Sequence, residues 1–321
     1  MQKITIFCKA SFTQGLGHLI RQVHIAKELR THKADISFYI PKFPAAMEIL
    51  KQNNFSYSTV EGFDTASLKG INAADVTILD IQDTTLPFIQ KLKEQSPTII
   101  SFEDQGEGRN QVDLLIDCNL NSENAKNVSP EVKTFFGLPF SVLAPEFENH
   151  HSKKRDFPNQ TQSLLITFGG TDPHNITLDL VKHIPNHFKT TIIVGPGFQN
   201  RDALQKLGNI RIMQNVQDMA SMLAGYDVVF CSGGVTLHEA MCVGTPAIVI
   251  SQVEHQEDKA KTAENSGAAI NLGQANSWDA NRLPEIFNLS SENLHTLSAA
   301  GKKCIDGKGL KRVVEAILTI C

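Results

Sequence analysis

Four short motifs carry residues whose types and spacing could do chemistry. The first runs Gln14-Gly15-Leu16-Gly17-His18-Leu19-Ile20-Arg21. Gly15 and Gly17 let the backbone approach a ligand, and a helix starting there offers unpaired N–H groups and a positive dipole end. The third glycine of a dinucleotide fingerprint is missing. His18 stands at the helix start with Arg21 one turn on, and histidine is the side chain best suited to base work near neutral pH. A tight turn with His18 as a simple cap accounts for the same residues. The second motif is Thr167-Phe168-Gly169-Gly170-Thr171-Asp172-Pro173-His174-Asn175. Thr171, Asp172 and Asn175 can cap a following helix, which leaves the paired glycines unexplained. The third, Cys231-Ser232-Gly233-Gly234-Val235-Thr236-Leu237-His238-Glu239-Ala240, again ends a strand in paired glycines and opens a helix. Amides from Gly234 through Val235 to Thr236, with the Thr236 hydroxyl, could bind a diphosphate. Glu239, one turn on, could accept both hydrogens of a ribose diol, or be an ordinary acid near a helix start. The fourth, Glu254-His255-Gln256-Glu257-Asp258-Lys259-Ala260, reads by itself as a solvated helix start.

Other chemistries lack their residues. The sequence has no D-x-D, no G-x-x-x-x-G-K-[ST] loop and no G-x-S-x-G elbow. No metal and no cofactor are expected, and His150-His151 reads as solvated.

The elements that must position these motifs are short apolar runs alternating with helical patterns. In the first half the runs are 4–8, 36–40, 76–81, 98–102 and 114–118, with an amphipathic stretch over 19–29. In the second they are 164–168, 191–194, 210–213, 228–231, 247–250 and 268–272, with helices expected over 175–184, 202–207, 216–226, 235–243 and 256–267. Continuous β-branched runs between helices imply parallel strands covered on both faces. The reading is α/β: two Rossmann-like domains with parallel sheets facing across a cleft, ligands lying beyond the carboxyl ends of the strands. Domains are expected over 1–148 and 163–321, joined by a polar, aperiodic linker over 149–162. A last helix over 310–320 is free by sequence to pack on either domain.

Composition bounds the partners. A chain of 321 residues is long enough for two domains, and 41% apolar with 20% charged residues suits a globular core. A net charge of −4 argues against a nucleic-acid binder. The amino terminus lacks the apolar run of a secretory signal, and no stretch approaches the ~20 apolar residues of a membrane span. Six scattered cysteines without a C-x-x-C pair fit a reducing compartment. A cytoplasmic protein without stable membrane insertion, a monomer or weak dimer, is expected.

The order G-x-G-H-x-x-R, F-G-G-T-D and S-G-G-x-T-x-x-E with G-x-P is similar to GT-B sugar-nucleotide enzymes, and the second half resembles the carboxyl-terminal domain of glycosyltransferase family 28. With Ser101-Phe102-Glu103-Asp104, the 113–117 run and Leu143-Ala144-Pro145-Glu146-Phe147, the whole resembles the hydrolase family that releases a UDP-linked diacetamido-trideoxy-altropyranose in pseudaminic acid biosynthesis, and its relatives in spore-coat polysaccharide synthesis. The resemblance implies that His18 activates water at an anomeric carbon without a metal. It implies that Gly15, Gly17, Arg21, Gly169, Gly170, Thr171, Gly233, Gly234, Val235, Thr236, Glu239 and Gln256 bind substrate or nucleotide. Asp80, Gln82, Glu103 and Asp104 fall at its sugar pocket. There the sequence departs from the family: Gln82 replaces a tyrosine, Ala144 an arginine, and Glu103-Asp104 an Asp-Asp pair.

The leading expectation is an inverting UDP-sugar hydrolase that yields free sugar and UDP. A glycosyltransferase with a UDP-sugar donor is the alternative, and a non-catalytic sugar-nucleotide binder a second one. No basic amphipathic helix favours a lipid acceptor.

Overall fold

The computed structural model describes residues 2–11, 15–119, 127–205, 210–214 and 216–320. Gln14 and the end of the helix expected over 202–207 lie outside them. The chain divides into two compact units, Met1–Val142 with Lys308–Cys321, and Leu143–Gly307.

The first unit is built on seven strands: β1 (Lys3–Cys8), β2 (Asp35–Pro41), β3 (Ser56–Val60), β4 (Val76–Asp80), β5 (Thr98–Phe102), β6 (Leu114–Asp117) and β7 (Lys133–Phe136). All pair in parallel, in the order β3-β2-β1-β4-β5-β6-β7. β4 is buried at every position, as the unbroken apolar run requires of a strand covered on both faces. Helices α1 (Gly17–Thr31), α2 (Pro44–Gln52) and α3 (Leu86–Lys93) supply crossovers. Strand order reverses between β1 and β4, so the loops after these strands diverge and leave a crevice at their carboxyl ends. The register pairs Cys8 with Asp80 there.

The second unit repeats the scheme with β8 (Ser163–Thr167), β9 (Lys189–Val194), β10 (Arg211–Gln214), β11 (Val228–Cys231), β12 (Ala247–Ser251) and β13 (Ala269–Gln274), ordered β10-β9-β8-β11-β12-β13. Its helices are α4 (Pro145–His151), α5 (Ile176–Val181), α6 (Arg201–Gln205), α7 (Met219–Ala224), α8 (Val235–Val243), α9 (Glu254–Asn265), α10 (Leu283–Phe287) and α11 (Ser291–Cys304). The reversal falls between β8 and β11.

Three expectations are corrected. The segment 149–162 is not a free linker. Its start belongs to α4, Arg155 donates to the carbonyls of Ala224 and Tyr226, and the Thr161 amide donates to Leu289 O at 3.2 Å. These bonds run to backbone and leave no apolar period in the sequence; the division between units falls at Val142/Leu143. The helix expected over 175–184 is shortened to α5, and that over 216–226 to α7, where the Asp218 side chain accepts from the Ser221 amide and sets the start.

The last helix, α12 (Gly309–Leu318), belongs to the first unit. Leu310, Val313, Val314, Ala316 and Ile317 join the cluster that holds Leu19, Val23 and Ala26 of α1. Among the described residues no helix is long and apolar enough to cross a membrane. Because Ile317 is fully buried, Ile317→Ala should lower the unfolding free energy of the unit that contains it by about 2–5 kcal/mol. Urea unfolding checks this; a loss under about 1 kcal/mol would detach α12 from the core.

Candidate active site

The first unit gathers charge at the carboxyl ends of β1, β4 and β5. Asp80, the last residue of β4, is completely buried. Its Oδ1 lies 2.5 Å from His18 Nδ1 and accepts from Arg21 Nη2 at 2.8 Å. Its Oδ2 accepts from Arg21 Nε at 3.0 Å and Gln22 Nε2 at 2.8 Å. Residues 18, 21 and 22 share one face of α1 because the helix repeats every 3.6 residues. Burial opposes the Asp80 charge, but Arg21 and His18 outweigh it and hold the carboxyl below its ordinary value. An ionised carboxylate only accepts hydrogen bonds, so His18 Nδ1 carries the proton toward Asp80 and Nε2 is left as the acceptor. Arg21 Nη2, 3.2 Å from Nδ1, therefore serves Asp80.

Arg21 also donates from Nη1 to Glu103 Oε1 at 2.5 Å, and its guanidinium lies 5.6 Å from the centre of the Phe102 ring. Burial disfavours its charge, yet Asp80 and Glu103 more than compensate and raise its pKa well above the usual value. Glu103 Oε1 accepts a further bond from Cys118 Sγ at 2.9 Å. The Glu103 backbone is left-handed, φ 48°, an uncommon conformation for a residue with a Cβ.

Asp80 and Glu103 thus meet His18 and Arg21. Asp104 does not: fully buried, it accepts from the Thr84 amide at 3.1 Å, the Thr84 hydroxyl, Ser101 Oγ at 3.1 Å and the Gly106 amide at 2.9 Å. It ties the loop after β5 to the loop after β4. Gln82 lies half-buried in the latter, its carbonyl accepting from the Gln105 amide at 2.7 Å. Gly15 (φ 77°) turns the chain before α1, and Gly17 is the first helical residue. Gln22, Phe102 and Cys118 escaped sequence reasoning. The signal for Gln22 was an amide at a core position of a helix whose neighbours Leu19, Val23 and Ala26 are apolar.

In the second unit three loops converge at the carboxyl ends of β8, β11 and β12. Gln252 Nε2 donates to Phe168 O at 2.7 Å, and the Gln252 amide donates to Gln256 Oε1 at 2.9 Å. A Cβ on Gly233 would stand 2.1 Å from Gln256 O, so only glycine lets the starts of α8 and α9 approach this closely. Gly170 O accepts from the Gly197 amide at 2.9 Å, and Gly195 packs on Gly169 and Gly170 where a Cβ would fall 2.4 Å from backbone atoms. Gly169 and Gly170 themselves border open space. Asp172 caps α5 with both carboxylate oxygens, on the amides of Ile176 and Thr177 at 2.9 Å each, while Thr171 is half-buried and Asn175 gives no side-chain cap.

Gly234 precedes α8, so the amides of Val235 and Thr236 head the helix without intrahelical partners. Val235 is exposed. The Thr236 side chain bonds Glu239, whose pKa is pushed up to about 7 by burial and by the carboxylate of Glu146. The Thr236 hydroxyl therefore serves Glu239, where the sequence reading gave it to a diphosphate.

Residues 165–314 match the glycosyltransferase family 28 C-terminal domain. The chain superposes on Acinetobacter baumannii MurG with a TM-score of 0.68 and 16% identity, over 99% of this chain and 100% of that one. The fold is GT-B. In sequence it is 28% identical over 276 residues to the Methanocaldococcus jannaschii protein MJ1062, a match spanning 80% of this chain and 57% of that protein. It is 24% identical to the Bacillus subtilis spore coat polysaccharide biosynthesis protein SpsG, over 97% and 96% of the two chains. It is 21% identical to the Campylobacter jejuni UDP-2,4-diacetamido-2,4,6-trideoxy-beta-L-altropyranose hydrolase, over 84% of this chain and 98% of that one.

The raised Glu239 pKa gives stability a pH signature. Between the ordinary carboxyl pKa of about 4.3 and about 7, the unfolded chain has lost this proton while the folded chain keeps it. This contribution is present at low pH and lost as pH rises through that window. Glu239→Gln should therefore be more stable than wild type at pH 8 and nearly equal to it at pH 4.5, read by urea unfolding at both pH values. Equal offsets at both would remove the buried proton.

Proposed function

We propose that this chain hydrolyses a UDP-sugar at its anomeric carbon, with inversion, releasing UDP and a free acetamido-deoxy sugar. The observation that carries the reading is the His18–Asp80 pair, with Nδ1 fixed by the carboxylate and Nε2 left as a base. Nε2 takes a proton from water as its oxygen attacks the anomeric carbon. The bond to the UDP oxygen breaks with its electron pair leaving on UDP, through an oxocarbenium-like transition state. The amides of Val235 and Thr236 meet the charge that develops on the diphosphate, and Glu239 accepts from the ribose hydroxyls. Gly169, Gly170, Gly233, Gly234 and Gln256 line the same loops, and the chemistry asks for no metal. The likeness to the Campylobacter hydrolase over nearly its whole length supports this reading.

The family 28 match favours a second reading, transfer from the same donor to a sugar hydroxyl deprotonated by His18. Departures at Gln82 and Ala144 bear on the sugar or the acceptor.

UDP release from a panel of UDP-sugars, without acceptor and with or without chelator, separates the two. Chelator-resistant release of UDP from a diacetamido-trideoxy hexose is expected, lost by a factor of about 10²–10⁴ in His18→Ala with UDP affinity kept. Tight UDP binding without release would favour transfer. Glu239→Ala should weaken UDP binding. In wild type, UDP affinity should rise as pH climbs through about 7, because Glu239 must lose its proton to accept both ribose hydroxyls; Glu239→Gln should lose that step. A step of equal size in the variant would assign it to the phosphates alone.

A further inference from the structure

The sequence motif makes Arg21 a natural ligand for a substrate phosphate, and the geometry points elsewhere. Arg21 Nε and Nη2 hold the two oxygens of Asp80, and Nη1 holds Glu103. The guanidinium is stacked near Phe102 and only 13% of its side chain is exposed. Its whole fork is committed to carboxylates of its own unit. We propose that Arg21 and Glu103 are positioning residues: Arg21 holds Asp80 as the anion that fixes the His18 tautomer, and Glu103 anchors the Arg21 fork.

Glu103 takes the Nη1 end of the guanidinium, so Nε and Nη2 stay on the two oxygens of Asp80. Cys118 Sγ donates to the same Glu103 oxygen. The left-handed backbone of Glu103 fits this role: it aims Glu103 at Arg21 while the next residue, Asp104, turns to Thr84 and Ser101.

The inference rests on the hydrolytic reading for its kinetic arm and on geometry alone for its spectroscopic arm. Arg21→Lys replaces a three-bond fork by a point charge that cannot span both carboxylates, and Glu103→Gln keeps shape while removing one charge. In Arg21→Lys, kcat should fall at least about 10-fold while KM and UDP affinity stay within about 2-fold. In Glu103→Gln, which weakens the hold on Nη1, kcat should fall by a smaller factor, with KM again within about 2-fold. In substrate-free protein, the proton NMR signal of His18 Nδ1–H, assigned by its loss in His18→Gln, should be present in wild type and broadened in Arg21→Lys.

A 10-fold loss of UDP affinity in Arg21→Lys with kcat retained would make Arg21 a substrate ligand and overturn the proposal. So would a raised KM with kcat retained in Glu103→Gln, or an Nδ1–H signal unchanged in Arg21→Lys. If no UDP-sugar is turned over by wild type, the hydrolytic reading fails, while the Nδ1–H signal still decides the arrangement. If Arg21→Lys does not fold, the isosteric Glu103→Gln carries the test.

Discussion

A carboxylate sealed from solvent must have every lone pair answered, since an unpaired buried charge costs several kcal/mol or more. Asp80 meets that demand with four donor groups, all of them supplied by residues 18, 21 and 22 of one helix face. The end of β4 thereby fixes the rotation of α1 over the switch point of the sheet. The imidazole tautomer, the committed guanidinium and the place of Glu103 follow from it. Apolar packing alone, through Leu19, Val23 and Ala26, seats the helix without choosing which side chain meets the carboxyl ends of the strands.

The second unit solves a different problem on the same topology. Its loops present backbone amides, so they are braced by close approach and by neutral amide side chains. Gly233 against Gln256, Gly195 against the 169–170 turn and Gln252 against Phe168 O hold three strand ends together without a charge among the braces. The ionisable group beside them, Glu239, is kept near neutrality by burial and by Glu146. An anion approaching the start of α8 thus meets dipoles and a protonatable acid, while a group approaching His18 Nε2 meets an acceptor whose ring is held by Asp80.

Much of this was legible as pattern. Unbroken β-branched runs gave the strands at the core of both sheets, because a strand buried on both faces has no polar alternation to confuse. Glycine pairs at strand ends gave the loops. The edge strands β3 and β7 were missed, since residues such as Ser56, Ser58 and Thr59 face solvent and carry no apolar run. The segment 149–162 carries no apolar signal because Arg155 and Thr161 fasten it through bonds to main-chain carbonyls. Adjacent carboxylates Glu103 and Asp104 look equivalent in sequence; a single left-handed residue sends one to Arg21 and the other to the Thr84 loop. Spacing located Arg21, but only the partners at the ends of β4 and β5 show that its donors are already taken.

The most direct test of the buried anion is the carboxyl carbon-13 chemical shift of Asp80 followed against pH in the folded protein, assigned by its loss in Asp80→Asn. The account requires the ionised shift to persist as pH falls through the ordinary aspartate value of about 3.9, with titration only below it. A midpoint at or above that value would mean that desolvation outweighs Arg21 and His18, and the tautomer assigned to His18 would lose its basis.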